Sequence, residues 1–331
     1  MSERRYPWLL AGLGAMVALL FVGALTIGPA GIGFTESLRA LTGGGNAAAV
    51  IVMQEIRLPR ALLGAMIGAS LGMAGAVLQG YLRNPLAEPG LIGVSGGASL
   101  GAVVAIYTGL AALMPLALPL LALAGALAAV ALVQALAGLR GTLALILAGI
   151  AITSFTGALT SLVLNLAPNP FAALEIIFWM LGSLSDRSML HLQLAAPFML
   201  AGWALMAGLG RGLDALTLGE EAAASMGVRL NRLRGMAMLG VAASVGAATA
   251  VAGTIGFVGL VVPHMLRPLV GARPSRLIAA SALGGASMLL AADIAVRLIA
   301  PDRDLKLGVL TALVGAPFFL WLVLHARRGL P

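Results

Sequence analysis

Charge and thiols are what this sequence has least of. Only 10% of its 331 residues are Asp, Glu, Lys or Arg, against roughly 25% in ordinary globular domains, and a soluble protein of this length needs far more polar surface. There is no cysteine, so disulfides and thiolate metal sites are excluded. Lysine occurs once, at Lys306, and is followed by Leu307. A phosphate-binding G-x-x-x-x-G-K-[ST] loop needs a lysine followed by a hydroxyl residue, so any dependence on ATP must come from a partner. Histidine occurs at three positions, His191, His264 and His325, which leaves few groups for a general base or a metal ligand.

What the chain has instead is 60% apolar residues, arranged in long uncharged runs. Tyr6 to Thr35, Ala61 to Leu82, Pro89 to Leu139, Gly141 to Leu174, Ser188 to Gly210, Gly235 to Leu266 and Leu307 to Ala326 contain no charged side chain. A helix crossing a bilayer needs about 20 such residues, so the chain reads as an all-α, polytopic membrane protein forming one domain. Arg4 and Arg5 ahead of the first run imitate a signal peptide, but the run is about twice as long as a 7–15-residue apolar core of such a peptide and is read as a retained span.

Breaking the runs at Pro, Gly and charge clusters predicts ten spans, at about 7–28, 61–80, 91–110, 115–138, 142–165, 190–210, 235–252, 256–271, 276–299 and 306–326, with ends uncertain by roughly 2–4 residues. Pro115 and Pro119 mark the turn within the longest run. An even number of spans puts both termini on one side. With the termini inside, Arg4, Arg5, Arg83, Arg140, Arg211, Arg229, Arg232, Arg234, Arg267, Arg273, Arg276, Arg327 and Arg328 are cytoplasmic. Arg39, Arg57, Arg60, Arg187, Arg297, Arg303 and Lys306 lie outside, and this excess of inner positive charge favours cytoplasmic termini. The formal charge of +8 is thereby assigned to a lipid boundary and not to nucleic acid. Trp8, Trp203 and Trp321 fall near span ends, where indoles prefer the interface. Gly64, Gly68 and Gly72, and again Gly93, Gly97 and Gly101, give small faces for close helix packing in lipid.

Two segments outside the spans stand out. Residues 217–234, TLGEEAAASMGVRLNRLR, form a charged amphipathic stretch on the cytoplasmic side, within a wider segment 214–234. Residues 165–189 make an outer connection with a short apolar helix of its own. Gly93-Val94-Ser95-Gly96-Gly97 fits the G-x-S-x-G pattern of serine nucleophiles. With His264 as base it would make an intramembrane serine protease. A tightly packed Gly-rich helix explains the same residues. His264 beside Pro263 invites a metal-ligand reading, against which stands a structural histidine at a helix break. An ion-coupled secondary transporter is a further alternative, but it calls for mid-membrane carboxylates, and Asp293 is nearly alone in the spans. Asp293 and Arg297 are spaced i, i+4 and read as a local pair, since ionisable groups in spans pair or face protein. On the fifth span, Thr153, Thr156 and Thr160 follow an i, i+3, i+7 rhythm beside Ser154, Ser161 and Asn165, giving one uncharged, mildly polar face. Hydroxyls of this kind also satisfy themselves on their own helix backbone.

Glu221-Ala222-Ala223 followed by Gly227 fits E-A-A-x-x-x-G and resembles the coupling loop of ABC importer permeases. Glu220 and Glu221 would start a short helix where its dipole favours negative charge, and Gly227 would cap its end. Around it, Arg57-Leu58-Pro59-Arg60, Gln79, Arg83-Asn84-Pro85-Leu86-Ala87-Glu88-Pro89-Gly90, Gly93-Val94-Ser95, Leu181-Gly182-Ser183-Leu184, Gly256-Phe257-Val258-Gly259-Leu260-Val261-Val262-Pro263-His264, Ala292-Asp293 and Gly315-Ala316-Pro317-Phe318 resemble, in order, the permeases that import iron–siderophore complexes, haem and vitamin B12. The resemblance implies a non-catalytic transport subunit of the bacterial inner membrane. It implies a homodimer, two cytoplasmic ATP-binding subunits and a periplasmic substrate-binding protein, with no cofactor in this chain. It implies ATPase coupling through Glu220, Glu221, Ala222, Ala223 and Gly227, docking of the binding protein on Arg57, Arg60 and Arg297, and a path lined by spans five and ten, with Thr153, Thr156, Thr160, Ser161 and Asn165 on it. The segment after span five would gate that path. The residues NPLAEPG and GVSGGA lean toward the B12 and haem members.

Overall fold

The computed structural model describes residues 5–114, 116–138, 141–167, 169–300 and 303–327. Of the residues named above, Arg4, Pro115, Arg140 and Arg328 lie outside the described residues, as do the side chains of His325 and Arg327. The described residues form helices joined by turns and short loops, with no strand among them. The first part of the chain forms α1 (Tyr6–Thr26), α2 (Phe34–Leu41), α3 (Ala47–Ile51), α4 (Leu58–Tyr81), α5 (Val94–Tyr107), α6 (Leu110–Leu113), α7 (Ala117–Ala137) and α8 (Thr142–Asn165). There follow α9 (Pro170–Met180), α10 (Met189–Ala207), α11 (Gly210–Leu216), α12 (Glu220–Ser225), α13 (Leu230–Ala252), α14 (Val258–Leu266), α15 (Pro274–Ile299) and α16 (Leu307–Arg327).

Among the described residues seven helical stretches are long and apolar enough to cross a membrane: α1, the continuous stretch Ala47–Tyr81, α7, α8, α10, α13 and α15. A π-helical turn, Val52–Arg57, joins α3 to α4, and Pro59 sits in the first turn of α4, directly after it. Two helices are shorter than the apolar pattern suggests. α5 begins at Val94 because Pro89–Ile92 forms a 3-10 turn that ends at Gly93 in the left-handed region (φ 77). α14 has nine residues, because Phe257 (φ 67) breaks the chain before it and Pro268 opens a 3-10 turn soon after it. In the other direction, α13 starts at Leu230 and takes Arg232 and Arg234 into a helix that hydropathy alone begins near residue 235.

The core lies along α4, α13 and α15, with α1 on the periphery. Close approach makes it possible. Gly68 faces the Gly285 backbone and Gly72 the Ser281 carbonyl, so a β-carbon at either position would overlap main-chain atoms of α15. Gly97 and Gly101 of α5 meet Gly125 and Leu121 of α7 in the same way. Lipid supplies no hydrophobic force between helices, so dispersion at such seams carries the packing. The ends of the bundle are fixed relative to one another. Tyr6 Oη donates to Arg276 O at 3.0 Å, which sets the starts of α1 and α15 at one end, and Arg57 and Arg297 reach the last carbonyls of α1 at the other.

Candidate functional site

The predicted functional residues fall at three levels of the bundle. At the end that carries Tyr6 and Arg276, α12 starts at Gly219 (φ 106) with Glu220 and Glu221 in its first turn. Gly227 (φ 86) ends it: Gly227 N donates to Ala224 O and Val228 N to Ala223 O at 2.9 and 3.0 Å. A β-carbon at Gly227 would meet open space, so only its backbone conformation demands glycine. Ala223 is fully buried while Glu220, Glu221, Leu218 and Met226 are exposed, which leaves one face of α12 and two large apolar side chains bare. Glu220 Oε1 accepts from Thr142 Oγ1 at 3.4 Å and lies 3.9 Å from Arg83. The short helix therefore touches both the start of α8 and the loop after α4. Nearby, Asp214 caps a helix from outside: its carboxylate accepts from Ser275 N at 2.8 Å and Ser275 Oγ at 2.6 Å in the first turn of α15, where a negative charge is favoured. Nothing in the sequence pattern announces that long-range cap.

At mid-level the polar residues of α8 divide. Thr153 is exposed and donates to Gly90 O at 3.2 Å, and Ser154, Ser161 and Asn165 are exposed as well. Thr156 and Thr160 are buried, at 6% and 5% exposure. Thr156 Oγ1 donates to Ile152 O and Thr153 O at 2.9 and 3.0 Å, and Gly96 of α5 lies close against it. A hydroxyl satisfied by its own helix can be buried without penalty, so two of the three threonines in the rhythm, Thr156 and Thr160, turn into the bundle. Opposite, α14 is held to α4 through Gln79, whose amide donates to Gly259 O and Leu260 O at 3.4 Å while Arg267 donates to its carbonyl at 2.7 Å. Gly75 lets the Gly259 carbonyl approach. The Glu88 carboxylate faces the backbone N–H of Phe257, at the start of α14; burial pushes its carboxyl above the usual range, and the facing N–H partly offsets the effect. An aromatic residue held at positive φ costs about 1–2 kcal/mol, and strain of this kind collects at switch regions. His264 packs edge-on against Phe318 at 5.9 Å, and its Nδ1 has no hydrogen-bond partner among the described residues. A base for Ser95 needs that nitrogen oriented by a third group.

At the far end, Arg57, Arg60, Asp293 and Arg297 form one cluster. Asp293, 1% exposed, accepts from Arg60 Nε at 2.9 Å and from an Arg297 guanidinium nitrogen at 2.7 Å. The i, i+4 pair is present, with Arg60 as an added partner. Arg297 also donates to Ala24 O and Ile27 O at 2.8 and 2.7 Å, and Arg57 to Leu25 O and Thr26 O at 2.9 and 3.1 Å. Two guanidinium groups thus satisfy carbonyls at the C-terminus of α1, where the helix dipole favours cations. Arg57 is only 4% exposed, so its side chain is spent inward and not on the surface as the resemblance implies. Three cations against one carboxylate leave the cluster positive. It opens on a cavity of about 430 Å³ lined also by Asp186, Arg303 and Asp304. Lys306 pairs with Asp304 there, and burial lowers the pKa of Arg187 in the adjoining loop, with Asp186 opposing the shift.

Comparison with known proteins identifies the family. A model of the FecCD transport family matches residues 16–325. The Fe(3+) dicitrate transport system permease protein FecD of Escherichia coli is 40% identical over 276 residues, covering 83% of this chain and 86% of that protein. The hemin transport system permease protein HmuU of Yersinia pestis is 37% identical over 340 aligned residues, covering 99% of each. An ABC transporter described as of the metal-chelate type, solved in an inward-facing conformation, superposes with a TM-score of 0.84 at 32% identity, covering 96% of this chain and 99% of that one. The chain is a multi-pass membrane permease of the FecCD transport family.

Proposed function

We propose that this permease works as a homodimer on two cytoplasmic ATP-binding subunits, receives its cargo from a periplasmic binding protein, and carries an iron chelate, haem or vitamin B12 inward by alternating access. Both termini are then cytoplasmic, and the membrane is the bacterial inner membrane. The observation that carries the reading is α12. It is an E-A-A-x-x-x-G helix at the end of the bundle, with its buried side on Ala223, its outer face bare, and Glu220 touching both α8 and the loop after α4. A subunit that pulled on α12 would move the elements next to the path. The path itself is assigned to the exposed residues of α8, Thr153, Ser154, Ser161 and Asn165, while Thr156 packs α8 against Gly96 of α5 and Thr160 is buried. Gating is assigned to α9, whose start is capped by Asn169 accepting from Ala172 N at 2.9 Å. At the outer face the surplus positive charge faces an acidic partner, with Arg60 and Arg303 at the rim and Arg57 and Arg297 behind them as supports.

The test is reconstitution of the dimer with its ATPase and binding protein in vesicles, with ferric siderophores, haem and cobalamin offered separately. Uptake of one of these classes that requires ATP and the binding protein is expected. ATP-independent uptake driven by a proton gradient would overturn the reading in favour of secondary transport.

A further inference from the structure

Phe257 sits between two parts of the molecule that the transport cycle must connect. Its backbone is tied to the loop between α4 and α5. Its N–H faces Glu88 in the loop between α4 and α5, Pro89 of that loop lies against Gly259, and Gln79 fixes the next two carbonyls of α14. The same loop carries Arg83, close to Glu220 of α12. Its ring belongs to α16. A β-carbon built on Gly315 would overlap the Phe257 side chain, so the ring occupies a notch that exists only because residue 315 has no side chain.

Two further features make this contact a movable one. Pro317 lies inside α16, two residues beyond the notch, and leaves the Leu313 carbonyl without its helical donor, which is where helices bend. Beside the ring lies a cavity of about 580 Å³, lined by Phe257, Gly308, Ala312, Leu313, Ala316 and Pro317 among others. The ring therefore has a second place to go, next to the point where α16 can flex. The left-handed backbone at Phe257 aims it at the notch.

We propose that Phe257 is a wedge that links the cytoplasmic α4–α5 loop to α16: seated on Gly315 it holds α16 in one bend, and withdrawn into the cavity it releases α16 to the other. This inference rests on the transporter reading and makes Phe257 and Gly315 positioning residues, in contact with neither ATP nor cargo. Displacement of α12 reaches the loop through Arg83, and the loop moves the wedge. A two-state element of this kind is what physical coupling between distant sites requires.

The experiment uses the complete transporter in nanodiscs and vesicles. Gly315→Ala fills the notch with a methyl that overlaps Cβ and Cγ of Phe257 and so forces α16 and Phe257 apart. Uptake per ATP hydrolysed is expected to fall about ten-fold, a usual size for lost coupling, while ATP hydrolysis and assembly persist. Gly315→Ala combined with Phe257→Gly is expected to recover uptake per ATP, because it removes the Cβ and Cγ that the new methyl meets and glycine accepts the positive φ at that position. A second readout needs no cargo. The chain has no cysteine, so a single nitroxide on Leu320→Cys in α16 reports the distance between protomers with and without a non-hydrolysable ATP analogue. That shift is expected in the parent, lost in Gly315→Ala and regained in the double variant. Unchanged uptake per ATP and label distance in Gly315→Ala would overturn the wedge. So would a double variant as defective as the single, since that is plain packing damage. A parent that moves its label with nucleotide yet takes up none of the three cargo classes would sink the transport reading and leave the wedge standing.

Discussion

Asp293→Asn keeps the shape of the side chain and deletes its charge, in the middle of a cluster that holds three arginines. Asp293 is 1% exposed and accepts from Arg60 and Arg297 at 2.9 and 2.7 Å. Breaking a buried ion pair by removing one partner costs about 3–5 kcal/mol, because the remaining charge stays buried and uncompensated. Three features push the expected cost to the lower end. Asn retains one acceptor oxygen, the Arg60 side chain is 16% exposed, and Arg297 keeps the carbonyls of Ala24 and Ile27. About 3 kcal/mol is expected, which at roughly 2 °C per kcal/mol for a large chain is a drop of about 6 °C in Tm. Tryptophan-fluorescence unfolding of the purified protein in nanodiscs measures it. A cycle with Arg60→Met and the double variant should show a coupling energy of at least about 1 kcal/mol. A Tm within about 1 °C of the parent, or strictly additive losses, would refute the account of the cluster as one mutually dependent unit.

Gly227→Val should leave the permease dimer assembled but weaken ATPase binding or stimulation. The new side chain meets open space and fails only on φ, at a cost of about 1–2 kcal/mol; unchanged ATPase affinity in a pull-down titration would count against α12 as the docking helix. Arg303→Glu, at the exposed rim of the outer cavity, should slow association of the binding protein several-fold in low salt, with the difference shrinking as salt rises; surface plasmon resonance at two ionic strengths checks this. Glu88→Gln keeps an acceptor for the Phe257 N–H and removes a carboxyl that burial holds above its ordinary pKa. A group whose folded pKa is raised binds its proton more tightly when folded, so its charge burdens the folded state increasingly as pH rises from the ordinary carboxylate range through the raised value. The variant should therefore gain thermal stability over the parent at pH 8 and show no gain at pH 4. Reporter fusions after Arg211 and after Arg328 should read cytoplasmic, and one near Gly44 periplasmic; an outside signal at Arg328 would mean an odd number of spans.

The helical class and the family were legible because uncharged runs and spaced motifs are properties of order along the chain. The pair Asp293–Arg297 was legible for the same reason, four residues apart on one helix. What joined distant parts was not. Arg60 enters the same cluster from 233 positions away, and Asp214 caps α15 from 61 positions away; neither leaves a local trace. Arg57 was given a docking role because it stands where the resembling permeases carry a basic residue, and nothing local in the sequence shows that the C-terminal carbonyls of α1 take up its guanidinium group. Helical spacing placed Thr153, Thr156 and Thr160 together but is silent on which neighbour a face meets. Phe257 fell inside the span predicted at 256–271, because hydropathy does not register the left-handed backbone that delays the start of α14 to Val258.

The seam between α4 and α15 has a mechanical consequence. Where Gly68 meets Gly285 and Gly72 meets Ser281, main chain rests on main chain, with no side chain between them to change rotamer and absorb a shift. Sliding one helix along the other would drive carbonyls into α-carbons, so the pair travels as a single beam. One end of that beam carries Ser275, gripped by Asp214 next to the α12 region. The other end carries Arg60, Asp293 and Arg297 beside the outer cavity. On the proposed orientation, a push delivered at the cytoplasmic end would reach the outer face through this beam, and the compliance that alternating access calls for would fall to α8, α9 and α16.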